Sequence, residues 1–250
     1  MNPSPQPSVS LSEGFEAQQL RYRAVSKLAV SALVFGGLSF TALIHPLLWL
    51  TPVVALLLCG LALWDIARSD RVLTGRRCAV WGLALAMFFG AAGPAKWAGY
   101  RWLIRREARQ VADEWWQHIE ADEPEKAFQL TVLPHLRQPR DETIWEFYRS
   151  NPESAEELHE YVKPESLVRT LLELRKQGAS FRYYSSEGQE SRGTRDWVVV
   201  VHAVTYEQQG KKKTFFVRLQ LKRYRSFRTG GGLWQIEQMF GGVKPEVRME

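Results

Sequence analysis

The sequence predicts a two-part protein: a membrane anchor of three α-helices over residues 25–103, then an α+β domain over residues 104–250 with helices packed on a four-stranded antiparallel sheet. Three observations carry this. Leu28–Trp64 is a run of 37 residues without Asp, Glu, Lys or Arg, and Cys78–Ala95 is a second such run of 18. From Ile104, apolar residues recur at three- and four-residue spacing, as on one face of a helix. After Ser180 the spacing changes to two, as in strands. The mean hydropathy of −0.27 averages the apolar part with a charged one and hides the division.

The first 24 residues are rich in Pro, Ser and Gln, contain Glu13 and Glu16, and lack a basic start. They read as a disordered tail and not as a cleavable signal. A bilayer core about 30 Å thick takes roughly 20 apolar helical residues to cross, so 37 is too long for one span. Pro46 and Pro52 lie near its middle, and proline removes a donor and disfavours helix in the residue before it. The run therefore splits into spans at about 28–44 and 47–64 with a turn at His45-Pro46. The third span covers about 78–97, ending in an aromatic belt of Trp97, Tyr100 and Trp102. A re-entrant second segment is the alternative, because both halves are short.

Lys/Arg in the flanks orient the anchor. Arg21, Arg23, Lys27, Arg68, Arg71, Arg76 and Arg77 share one side if all three segments span, which places the N-terminus in the cytoplasm and the C-terminal domain outside. Lys96, Arg101, Arg105, Arg106 and Arg109 oppose this. Gly36, Gly37, Gly60, Gly82, Gly90 and Gly93 permit close helix packing, read as intramolecular, with a homo-oligomer interface as the alternative. No ionisable residue lies mid-membrane except His45, which the split places at a turn, and this argues against transport.

The anchor resembles a small bacterial membrane domain of unknown function, the one catalogued as number 4190. The likeness lies in AVSALVFGGLSF, a Pro-interrupted apolar run, LLCGLALWDIARSD and TGRRCAVWGLALAMFFG, over about residues 25–95. It implies a membrane anchor and no known activity.

In the second part, Ile104, Ala108, Val111, Ala112, Trp115 and Ile119 form one apolar stripe. Asp122 and Glu125, with Pro124 between them, read as a capping box opening a helix that buries Ala127, Phe128 and Leu130. Asp141 reads as the cap of a short helix carrying Ile144, Trp145 and Tyr148. A last helix spans about 164–176, with Leu167, Val168, Leu171 and Leu172 inward and Gly178 as its stop. Strands follow at 180–185, 196–206, 214–225 and 232–240, with turns at 207–210 and 228–231. Helices first and a meander after argue for helices on one sheet face. The order resembles the nuclear-transport-factor-two-like, or cystatin-like, fold, on the opening helix, the turn HIEADEPEKAFQLT and the ending LWQIEQM. That resemblance implies a conical pocket in many members. Some are isomerases or dehydratases and others are binding or scaffold modules.

Candidate chemistry is sparse. The cysteines, Cys59 and Cys78, lie in or at the edge of the apolar runs, so the α+β part has no disulfide framework and no thiolate zinc site. Its histidines are His118, His135, His159 and His202, with no HxH or HxxxH, so no metal or cofactor is expected. Glu156-x-x-His159 has a di-metal spacing but lacks the second copy such sites need. His202 shares a strand face with Val198, Val200 and Val204. It is the one weak catalytic candidate, as a pocket acid or base, set against the plainer reading of a satisfied core histidine. Asp113 and Glu114 are adjacent on their helix and do not face each other.

Charge is divided. Residues 104–178 hold 11 basic and 16 acidic groups, and residues 179–250 hold 13 and seven. Lys211, Lys212, Lys213, Arg218, Lys222, Arg223, Arg225 and Arg228 fall on one hairpin, with Tyr224 and Phe227 among them. They offer a possible contact for an anionic lipid surface, or simply a charged edge against aggregation. The high pI comes mostly from membrane flanks, so nucleic acid is not expected as a partner. The function expected is a membrane-anchored, non-enzymatic binding or scaffold protein, with an envelope protein or a small apolar ligand as partner. The alternatives are an isomerase- or dehydratase-type enzyme and a cytoplasmic domain docking on anionic lipid.

Overall fold

The computed structural model describes residues 24–68, 73–193, 195–225 and 232–244. The expected tail over residues 1–24, apart from Ala24, the charges Arg21, Arg23, Arg71 and Arg228, and the turn at 228–231 lie outside the described residues. The chain forms two compact units, Met1–Gly99 and Tyr100–Glu250.

The first unit opens with β1 (Ala24–Val25), α1 (Lys27–Leu38) and a 3-10 turn (Ser39–Leu43). A second 3-10 turn (Pro46–Trp49) leads into α2 (Leu50–Arg68), then β2 (Leu73–Thr74) and α3, which begins at Arg76. The chain reverses at His45, which is extended (φ −147°) and accepts the Leu47 N–H on Nδ1. Pro46 and Pro52 sit in the first turns that follow, where a missing N–H costs nothing.

β1 pairs in parallel with β2, so α1 and α3 start from the same end. A Cβ built on Gly82 would meet the Ala32 carbonyl at 2.6 Å, and one on Gly93 the Ala42 carbonyl at 2.9 Å. The first segment therefore runs beside α3 from Gly82 to Gly93. α2 returns the other way: Pro52 faces Gly90, and Cys59 Sγ lies 4.0 Å from the Ala32 carbonyl. Ala29, Ala32, Cys59, Ala62 and Ala79 fill the interior, while Leu47, Leu50, Leu57, Trp81 and Phe88 point outward. Two helices are long and apolar enough to cross a membrane, Pro46–Arg68 (23 residues) and Arg76–Ala121 (46 residues). The first segment, Lys27–Leu43, is shorter.

α3 departs from expectation. Residues 78–97 and the stripe from Ile104 are one helix, Arg76–Ala121, with Pro94 inside it. Interior proline removes one donor and disfavours a straight helix, yet the helix runs on through it.

In the second unit, α3 is followed by α4 (Pro124–Gln129), α5 (Ile144–Ser150), α6 (Pro152–Tyr161) and α7 (Leu167–Lys176). The sheet is β3 (Ser180–Arg192), β4 (Arg195–Gln208), β5 (Lys211–Arg225) and β6 (Gly232–Val243), a four-stranded antiparallel meander in sequence order. Period-two alternation turns Val198, Val200 and Val204, with Val217, Leu219 and Leu221, toward the helices. They close on Ile104, Ala108, Ala112, Trp115 and Ile119 of α3 and on Val168, Leu171 and Leu172 of α7. The turn between β4 and β5 is the two residues Gln209 and Gly210, both at positive φ, the geometry that matches strand twist. The free side of β6 is covered: Ile236 N–H donates to the Leu130 carbonyl, and Arg137 donates to the carbonyls of Leu130, Val132 and Trp234. Burial lowers the Arg137 guanidinium to about 10.

Several local expectations are corrected. Asp122 does not cap α4. It takes the left-handed conformation (φ 63°) that ends α3, and Glu123 N–H bonds back to the His118 carbonyl. Glu125 turns inward, and burial raises its carboxyl. Asp141 stands two residues before the cap position, Thr143, whose N–H and hydroxyl it accepts. Trp145 is exposed, while Ile144 and Tyr148 are buried. Ser166 supplies the cap of α7, accepting the Arg169 N–H, and Gly178 (φ 79°) ends it. β3 runs to Arg192, well beyond 185, with bulges between Tyr183 and Ser185 and between Glu187 and Gln189.

Candidate functional site

His202 is placed by the alternation of β4 on the helix-facing side of the sheet, with Val200 and Val204. Its Nε2 lies 3.3 Å from Asp113 Oδ1 on α3. The ring sits against Trp116 (centroids 5.1 Å apart) and edge-on to Tyr183 (5.8 Å). Burial pushes the imidazole down to about 4; Arg109 pushes the same way and the Asp113 hydrogen bond opposes both. The ring is therefore neutral at pH 7. With a carboxylate on Nε2, the proton belongs on Nε2, which leaves Nδ1 the lone pair. Nδ1 is buried with no partner among the described residues. His202 is 2% exposed and lines neither of the two grooves described below. The geometry makes this pair a hydrogen-bonded tie between β4 and α3, with the free nitrogen buried among the described residues.

Asp113 also receives Arg109 Nε at 3.4 Å. The Arg109 guanidinium lies 4.0 Å over the Tyr183 ring, against the wall of a groove. That groove, about 300 Å³, is lined by Trp102, Arg105, Arg106 and Arg109 of α3 and by Tyr183, Tyr184, Ser185 and Ser186 of β3. The four helix residues follow i, i+3, i+4, i+7 spacing and so share one face. The bulge after Tyr183 breaks the alternation and gives the groove two successive serines. Tyr183 OH and Ser186 Oγ are 3.0 Å apart. Arg106 lies over the Trp102 ring at 5.4 Å.

The nearby carboxylates are committed elsewhere. Asp113 is held by Arg109 and His202, and Glu187 accepts Arg218 at 2.9 Å and Ser185 Oγ at 3.3 Å. Among the described residues, Arg105 and Arg106 have no carboxylate partner.

The residues expected to form one basic surface do not. Arg223 faces the helices, 6% exposed, where Nε donates to Glu107 Oε2 at 3.0 Å and Nη1 lies 3.7 Å from Asp196. Lys222 and Arg218 lie on the opposite face, paired with Glu237 and Glu187. Lys211, Lys212 and Lys213 cluster at the exposed β4–β5 turn, and Lys213 donates to Gln208. For Arg225 only the backbone is described. A second groove, about 580 Å³, lies on the outer face of the sheet by Gly188, Glu190, Arg192, Trp197 and Gln220. Among the described residues no three potential ligands gather as a metal site, and Glu156 and His159 stand on α6 without a second pair.

Two features escaped the sequence. Asp113 and His202 are 89 positions apart and carry no mutual signal. The groove did leave one: Trp102-x-x-Arg105-Arg106-x-x-Arg109 is a single helix face, though its arginines serve above only as flank charges.

Comparison of the chain with protein-family models, with curated proteins and with solved structures finds no match.

Proposed function

We propose that this chain is a membrane-anchored, non-enzymatic binding module whose α+β unit takes anionic ligands in the groove between α3 and β3. The observation that carries the reading is the pair Arg105 and Arg106, which have no carboxylate partner among the described residues and open on a groove lined by hydroxyl groups, while the one histidine of catalytic interest is buried. The enzyme alternative would draw on His202 and Asp113, and the covered ring weighs against it. The apolar unit supports a three-span anchor. Small residues inside with large apolar ones outside is how helices pack in lipid, where there is no water to drive leucine inward. The parallel start of α1 and α3 and the return of α2 fit spans that alternate in direction, and favour a crossing second segment over a re-entrant one. With the basic flanks inside, the N-terminus is cytoplasmic and the α+β unit extracytoplasmic. The helices-then-meander order supports the cystatin-like resemblance.

Two measurements test this. A reporter fused after Glu250 that is active only outside the cytoplasm should give signal, and one fluorescent only inside should not; the reverse pattern removes the three-span reading. Calorimetric titration of the full chain in neutral detergent with phosphate, pyrophosphate and citrate should show binding that weakens as salt is raised. The double change Arg105→Gln with Arg106→Gln should lower that affinity at least tenfold, and an unchanged affinity would sink the groove as the site.

A further inference from the structure

Resting on the reading of this groove as an anion site, we infer that its ligand is the phosphate of an anionic phospholipid headgroup, with Arg105, Arg106 and Arg109 as the charge contacts and Ser186, whose oxygen can accept from Tyr183, as a hydroxyl donor. The chemistry points first to phosphate. Three guanidiniums converge on one groove, and a guanidinium presents paired N–H donors that match two oxygens of a phosphate at once. The arginines are partly set in advance: Arg109 is stacked on Tyr183 and tied to Asp113, and Arg106 lies over Trp102. The groove, about 300 Å³, is at the small end of ligand sites and suits a headgroup better than an extended molecule.

The rim then points to lipid over a soluble phosphate. Trp102 is 61% exposed and Tyr184 53%. A site for a soluble metabolite buries its aromatic walls around the ligand. A site that works at a bilayer leaves them outward, where aromatic rings settle at headgroup level and cations meet the negative surface. In sequence the groove is close to the proposed membrane segment: Arg105 follows Ala95, the last residue of the second uncharged run, by ten positions.

The test uses the full chain in neutral detergent and native mass spectrometry of retained lipid, with dioleoyl-phosphatidylglycerol and dioleoyl-phosphatidylcholine at equal concentration. sn-Glycerol 3-phosphate serves as the soluble probe. Phosphatidylglycerol should bind at least tenfold tighter than phosphatidylcholine. Arg105→Gln with Arg106→Gln should erase the preference, and Lys212→Gln with Lys213→Gln should keep it. Both arginines are exposed, so circular dichroism of the variant should match that of the parent. Equal retention of the two lipids overturns the inference, as does a preference that survives the arginine changes. If glycerol 3-phosphate binds as tightly as phosphatidylglycerol, the lipid assignment fails and the anion-binding reading stands. If no anion tried binds, both fail.

Discussion

Arg223→Ala should lower the stability of the α+β unit by about 3 kcal/mol, the loss expected when one partner of a buried ion pair is removed. The guanidinium is almost wholly enclosed, with Nε and Nη2 on Glu107 and Nη1 near Asp196. Glu107 also accepts Trp234 Nε1 at 3.0 Å, and Asp196 accepts Tyr100 OH at 2.9 Å and Ser191 Oγ at 2.6 Å. One cation thus joins α3 to all four strands. Without it, Asp196, 1% exposed, keeps two neutral donors and no counter-charge among the described residues. Glu107 is partly wet, which holds the estimate to the lower end of the range that such removals show. Glu107→Leu should partly rescue Arg223→Met, because the second change removes the carboxylate that the first leaves unpaired. Gly232→Ala should act through the same group, since a Cβ there would lie 1.9 Å from Arg223 Nε. The exposed pair Arg169–Glu173 gives the contrast, with Arg169→Ala changing stability by less than about 0.5 kcal/mol. Denaturant unfolding of the full chain in detergent measures each. An Arg223→Ala change as small as that of Arg169→Ala would show that the network does not hold the unit together.

The same network shows where sequence reasoning stops. The alternation of β5 is plain in Phe215, Val217, Leu219 and Leu221, and it continues to Arg223 without a break. Charge alone sends Arg223 outward with Arg218 and Lys222; period alone sends it inward. Period prevails because Glu107, 116 positions earlier, waits on the helix side, and nothing in a linear pattern announces a partner at that distance. The central strand β4 is legible for the opposite reason: a run of valines is buried whatever lies opposite. The edge strand β3 is half hidden. Its second half, Ser186–Arg192, is polar and held in the sheet by its pairing to β4, which strand propensity does not record. The bulge that brings Ser185 and Ser186 to the groove is a register event and leaves no compositional trace. In the apolar unit, the turn at His45-Pro46 is readable because proline acts locally. The continuity of α3 through Pro94 is not, because it depends on what the neighbouring residues tolerate.

His202 should make the unit acid-sensitive, and removing it should flatten the response. The folded-state value near 4 lies below the ordinary histidine value of 6.5. Above pH 6.5 the ring is neutral in both the folded and unfolded chain, and it contributes no pH dependence. As pH falls through 6.5, the unfolded chain takes up a proton that the folded chain refuses, so stability declines. The decline continues until the folded ring also protonates near pH 4. At about 1.4 kcal/mol for each unit of difference, the loss across that window is about 3 kcal/mol. Phenylalanine keeps the ring against Trp116 and Tyr183 and cannot titrate. Its cost to Asp113 is small, because that carboxylate is partly exposed and retains Arg109. Other groups titrate in the window too. Glu123, lowered by its bonds to Lys126 and His118, adds to the acid loss, and Glu125, raised by burial, works against it. Both are present in either protein and cancel in the comparison. Unfolding free energies of the parent and of His202→Phe, measured at pH 7, 5.5 and 4, should therefore diverge, with the parent losing about 3 kcal/mol more than the variant. Parallel curves would mean that the ring is protonated in the folded state. The tie to Asp113 would then be an ion pair, and the sealed neutral imidazole that argues against catalysis would have to be given up.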